Sequence, residues 1–142
     1  RKLKQHFYLI EVYVTERLKF DDTTDCELLL KTALKRQWDH LLVRLYGLVV
    51  ASDLAKQQTT AESWLNNHSR DAVLLLTLGR ICMRNQLWGK ARDYLRESID
   101  VQANPEAYYE FARLHEQEGD RKAAAECYEK GLTLATGIPS VN

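Results

Sequence analysis

Proline is nearly absent from these 142 residues; only Pro105 and Pro139 occur. Proline inside a helix removes a backbone donor and clashes with the preceding turn, so its scarcity leaves long helices open along most of the chain. The three cysteines, Cys26, Cys82 and Cys127, are odd in number and far apart, with no Cys-x-x-Cys pair. That argues against a disulfide framework and for a reducing compartment. Neither sign of charge is in excess, because 20 basic side chains cancel 20 acidic ones. Generic nucleic-acid binding and polybasic membrane anchoring both need a basic surplus, so neither is expected. No apolar run reaches the roughly 18–20 residues that span a bilayer; "LYGLVVA" at 45–51 is the longest comparable stretch. No stretch of these residues reads as a signal peptide, and none is expected. The chain opens at Arg1 without a methionine, and the expectation is a fragment, from which a membrane segment of the parent could be missing.

Motifs of catalysis are missing too. There is no HExxH, GxSxG, GxGxxG or phosphate loop. Of the four histidines, His6, His40, His68 and His115, His40 and His68 stand beside expected helix ends among polar residues, which suits solvation or capping. No nucleophile–base arrangement is apparent, and the chain is read as not an enzyme.

What is present is a repeat. Shifted forward by 33 residues, Leu75 falls on Tyr108, Leu78 on Phe111, Gly79 on Ala112 and Cys82 on His115. Ala91 then falls on Ala124, Leu95 on Tyr128 and Ser98 on Gly131. Large mostly meets large and small meets small. A helix–turn–helix of about 34 residues with this alternation is the tetratricopeptide (TPR) repeat. Leu75, Leu78 and Cys82 share one helical face. Gly79, Ala112, Ala91 and Ala124 are small so that paired helices can cross closely, and Leu95 and Tyr128 are the knobs that fill the remaining space.

Turn chemistry agrees. In "QEGD" at 117–120, Gly119 reads as a glycine just past a helix and Asp120 as the next N-cap. Pro105 suits the first turn of a helix. "NQLWG" at 85–89 has no obvious N-cap, and Trp88 is expected to cover that turn. Upstream, Leu3, Phe7, Ile10 and Val14 predict a helix over 3–19, broken by "KFDDTTD", with a partner helix over 26–38. Residues 39–71 read as two helices around a turn near 51–54. The expected fold is all-α: one TPR-type superhelix of about four hairpins, at about 1–38, 39–71, 72–104 and 105–136, followed by a frayed tail at 137–142.

"LKRQWDHLLVRLYG" at 34–47, "LLLTLGRICMRNQLWGKARDYLRESI" at 74–99 and "PEAYYEFARLHEQEGDRKAAAECYEKGL" at 105–132 resemble the C-terminal region of the HemY family. These are bacterial proteins of the haem-biosynthesis gene neighbourhood. The likeness spans about residues 30–135. It implies an inner-membrane protein whose two N-terminal transmembrane helices lie outside this chain, with a soluble TPR region. It also implies a non-enzymatic role linked to late protohaem synthesis, with enzymes of those steps as partners. The domain is expected to face the cytoplasm. The absence of GxGxxG separates it from the protoporphyrinogen oxidase that shares the HemY name.

First helices of stacked hairpins line a concave surface. Tyr46, Arg80, Met83, Arg84, Tyr109, Arg113 and Glu116 are the candidate groove residues, with Val49 a further equivalent. Arginines there suit a carboxylate or an acidic peptide, which guanidinium holds bidentately, and Tyr109 would add an aromatic wall. The plainer reading is a solvated face with an Arg113–Glu116 pair. The expected function is a protein-interaction scaffold without a metal or cofactor. The alternative is direct haem or porphyrin binding or transfer. His115, Cys82 one hairpin earlier, and Met83 are possible iron ligands; the plainer reading of both positions is buried packing. The last helix, with Ala124, Cys127 and Leu134 on one side and no capping helix after it, is expected to self-associate or meet another protein.

Overall fold

The structure, a computed structural model, describes residues 2–138. Among the described residues there are eight α-helices and no strands: α1 Lys2–Lys19, α2 Cys26–Arg36, α3 His40–Leu48, α4 Leu54–Ser63, α5 Ala72–Arg84, α6 Trp88–Val101, α7 Pro105–Gln117 and α8 Arg121–Thr136. A 3₁₀ turn, Trp64–Asn66, extends α4. The fold is a TPR-type helical solenoid. No helix among the described residues is long and apolar enough to cross a membrane.

Short polar side chains start five of the helices. The carboxylate of Asp39 accepts from the Leu42 N–H, Asp53 from Lys56, Asp71 from Val73 and Leu74, and Asp120 from Ala123, while the Asn104 amide oxygen accepts from Ala107. Each satisfies an amide that the helix start leaves free. Helix α6 has no side-chain cap; Leu87 stands at that position, and Gln86 before it has φ 60. One hairpin later the same turn holds Gly119 with φ 81, where the left-handed backbone carries no steric cost. Of the tail expected at 137–142, Gly137 caps α8 in the left-handed region, its N–H donating to Thr133 O at 2.8 Å. Residues 139–142 lie outside the described residues.

The pairs α5–α6 and α7–α8 are the closest hairpins of the molecule. A Cβ on Gly79 would stand 2.5 Å from Leu95 Cδ2, so the crossing there depends on the missing side chain. Leu75, Leu78, Ala91, Leu95, Ala112 and Ala124 are all buried. Tyr108 and Tyr128 are half-buried. Tyr128 is therefore not the sealed knob expected; its phenol reaches out to donate to Glu116 Oε1 at 2.8 Å, as a large ring with a polar tip prefers. At the far end of the hairpins, Ser98 Oγ donates to Ala72 O at 2.8 Å. The equivalent Gly131 has room for only a tight Cβ, 3.3 Å from Pro105 O.

The amino-terminal half is built differently. Helix α3 runs most closely along α5, and α4 also lies on α5, while the α3 and α4 backbones stay further apart. The α3–α5 crossing is made by Gly47, where a Cβ would be 3.1 Å from Thr77 Cα. Thr77 Oγ1 donates to Val43 O at 2.9 Å across it. Buried Gln57 of α4 closes the end of α3, donating to Tyr46 O and Val49 O, each at 3.0 Å. One core cluster spans α1 to α5, and a smaller one joins Leu76, Leu95 and Ile99 to Ala107 and Phe111 of α7.

Candidate partner-binding cleft

Helices α3, α5 and α7 lie side by side, and a cleft of ≈ 370 Å³ opens along them. Its lining is Gly47 and Leu48, then Arg80, Met83 and Arg84, then Glu110, Arg113 and Gln117, with Trp88 from the first turn of α6. Trp88 thus contributes to the cleft.

A ladder of alternating charge crosses these helices. Arg44 Nε on α3 donates to both oxygens of Glu106 on α7, at 2.9 and 3.0 Å. Arg80 on α5 donates to Glu106 Oε1 at 2.8 Å and to Glu110 Oε2 at 2.9 Å. Arg113 donates to Glu110 Oε1 at 3.1 Å. Burial pushes the Glu106 carboxyl up, but Arg44 and Arg80 outweigh it and hold it below its ordinary value. Arg80 is only 8% exposed and, with two carboxylate partners, is part of the scaffold. Its Nη1 is buried and has no partner among the described residues.

Arg84 stands outside the ladder. It donates to Gly47 O at 3.0 Å and Val49 O at 3.2 Å, the carbonyl end of α3, where the helix dipole favours a cation. Burial lowers its pKa from the usual arginine value, with Glu110 acting the other way. Four guanidiniums, Arg44, Arg80, Arg84 and Arg113, face two carboxylates, Glu106 and Glu110, which leaves two positive charges unbalanced. Arg113, with 50% of its side chain exposed, is the arginine of the ladder most open to a ligand.

Several candidate groove residues lie elsewhere. Tyr46 is wholly buried, against the Trp64 ring with centroids 4.8 Å apart, and its hydroxyl donates to Glu27 Oε2 at 2.5 Å. It belongs to the core between α2, α3 and α4, because a phenol with a buried acceptor gains more there than in water. Val49 is buried as well. Glu116 is exposed and holds Tyr128, so Arg113 pairs with Glu110 instead. Tyr109 is 49% exposed, with the Arg113 guanidinium 5.9 Å from its ring centroid and Tyr128 6.1 Å away. Met83 lines the cleft, whereas Cys82 and His115 do not. Cys82 is wholly buried and its thiol is pushed up to about 11 by desolvation. His115 is half-buried and stacks on Phe111 at 4.8 Å.

Glu106 and Glu110, absent from the sequence-derived candidates, prove central. Their spacing with Arg113, at i, i+4 and i+7, was the available signal for one shared helical face. A second polar node also escaped notice. Asp71 Oδ2 accepts from Trp38 Nε1 at 3.0 Å and meets His40 Nε2 at 2.8 Å, while His68 stacks on Trp38 at 3.8 Å. His40 and His68 therefore tie α3 and the 64–71 segment to the start of α5.

The family model of the tetratricopeptide repeat matches residues 105–136, the hairpin α7–α8. No curated protein and no solved structure matches the chain. The match is to the repeat, which supports a protein-interaction scaffold in general, and not to the HemY family.

Proposed function

We propose that the chain holds a partner protein by seating an acidic, extended segment of it in the cleft between α3, α5 and α7. The observation that carries this is the surplus of guanidinium along the cleft: the internal glutamates neutralise part of it, and Arg113 keeps donors facing water. A carboxylate on the incoming segment would take those donors as a charge-assisted pair. Met83 and Trp88 supply adaptable and flat apolar surface beside it. The mechanism is stereochemical: a rigid curved array presents the groups, and no bond is made or broken. The HemY resemblance supports a narrower reading, in which the partners are enzymes of late protohaem synthesis at the bacterial inner membrane and the domain faces the cytoplasm.

The test is fluorescence anisotropy of the purified chain with labelled peptides rich in Asp and Glu, alongside Lys-rich controls. A pull-down against haem-synthesis enzymes tests the narrower reading. Arg113→Glu is the informative variant, because Arg113 is exposed while Arg80 holds the scaffold together. Acidic peptides should bind the parent chain and lose at least about tenfold in the variant, a change of about 1.4 kcal/mol. Equal binding by both, or no preference for acidic peptides, removes the proposal.

A further inference from the structure

The outer face of the last hairpin has a counterpart inside the molecule whose occupant is known. On hairpin α5–α6, Leu76, Leu95 and Ile99 form an apolar cluster with Ala107 and Phe111 of α7. Beside that cluster Arg80 receives Glu106 and Glu110, also of α7. Moving 33 residues along the chain, the equivalent positions on α7–α8 are Tyr109, Tyr128, Leu132 and Arg113. Leu76 is 4% exposed and Leu95 0%, because α7 covers them, whereas Tyr109 is 49% and Leu132 64% exposed. Arg80 has two carboxylates from the next helix; among the described residues the one carboxylate that Arg113 meets is Glu110 of its own helix. Of the residues expected on the open side of α8, Ala124 is turned inward, Cys127 is half-buried and Leu134 is 46% exposed, and the face equivalent to the covered one is formed by Tyr109, Tyr128 and Leu132.

We infer that this face is a second docking site, adjoining the cleft and sharing Arg113 with it, for an amphipathic helix of a partner protein that carries the chemistry of α7. Such a helix presents two glutamates at i and i+4, for Arg113, with a small residue and an aromatic at i+1 and i+5, for Leu132 and the two tyrosines. This is the order Glu106, Ala107, Glu110, Phe111 that already seats on the preceding hairpin. Charge and shape select it together. The glutamates fit the open guanidinium, and the small and large apolar side chains fit the ridge of a helical hairpin.

The probe is a synthetic peptide of residues 103–118. It is cross-linked between positions 109 and 113, which are exposed in the intact chain, so that the short helix holds its shape. Its binding to the full chain is read by anisotropy. Saturable binding should weaken at least about tenfold in Leu132→Glu, which lies outside the cleft, and persist in Met83→Glu, which lies inside it. Binding lost in Arg113→Glu should return when both peptide glutamates, at 106 and 110, are changed to arginine. Absence of binding, equal binding by the parent and Leu132→Glu, or loss in Met83→Glu instead would overturn the inference. A failure here leaves the cleft reading to its own acidic-peptide test, which Leu132→Glu should not affect.

Discussion

Leu95 occupies the space in which a side chain on Gly79 would stand: its Cδ2 is 2.5 Å and its Cγ 2.7 Å from the Cβ position. Leu95 is itself wholly buried, so it has nowhere to retreat. Gly79→Ala gains about 1 kcal/mol of helix propensity but overpacks this crossing, and a net loss of about 1–2 kcal/mol is expected. Leu95→Ala alone should cost about 2–5 kcal/mol. The double variant should be more stable than Leu95→Ala, because the new methyl enters the vacated hole. Urea unfolding of the four proteins gives the coupling energy, and simple additivity would refute the nesting.

Gln86 has φ 60 and stands where the following hairpin has Gly119 at φ 81. A residue with a Cβ is strained in the left-handed region by about 1–2 kcal/mol, and glycine gives back part of that through the freedom of its unfolded chain. Gln86→Gly should therefore stabilise the fold by about 0.5–1 kcal/mol. The check is a rise in the urea midpoint with an unchanged slope; a fall would show that Gln86 makes a compensating contact.

The repeat was legible because each close crossing stamps its demand on a single residue. Gly79 and Ala91 must be small, and their counterparts 33 residues on, Ala112 and Ala124, are small as well. Caps such as Asp120 and the left-handed Gly119 were legible for the same reason, since each need is local. What escaped were relations settled far along the chain. Arg80 follows Gly79 and looked free to meet a ligand, but its charge is taken up by Glu106 and Glu110, 26 and 30 residues away. Tyr46 looked like a groove residue until Glu27 and Trp64 enclosed it. In the first half, the crossing that matters joins Gly47 to Thr77 and not to its own hairpin partner, which is why no strict register of small residues showed there.

Removing Arg80 should be far more damaging than removing Arg113. The Glu110 side chain is 6% exposed, so Arg80→Met leaves a buried carboxylate with only the partly exposed Arg113. Breaking one side of such a pair costs about 3–5 kcal/mol, whereas replacing both sides with apolar groups is often close to neutral. Arg80→Met with Glu110→Leu should recover most of the loss, the more so because Arg80 already keeps one buried nitrogen without a partner. Arg113→Ala, at an exposed position, should cost under about 1 kcal/mol. Thermal melts of the four proteins test the order; an Arg80→Met protein as stable as the parent would return Arg80 to the binding surface.

Acid should unfold the chain partly through Asp71. Burial pushes its carboxyl up, but the Leu74 N–H, His40 and Trp38 together outweigh burial and hold it below the ordinary 3.8. A carboxyl depressed in the folded state contributes stability that is full above its unfolded value and is lost as pH falls through the folded value. The window is therefore below about pH 4. Asp71→Asn keeps an oxygen to cap α5 but cannot ionise, so it should be less stable than the parent at pH 7. The two should converge as pH falls toward 3, because only the parent has this contribution to lose. Glu62 and Glu106 are depressed in the same direction and are common to both proteins, so the difference between the curves isolates Asp71. Urea unfolding at pH 7, 5 and 3 measures it. A gap that stays constant with pH would mean that Asp71 holds α3, the 64–71 segment and α5 together by hydrogen bonding alone, without its charge.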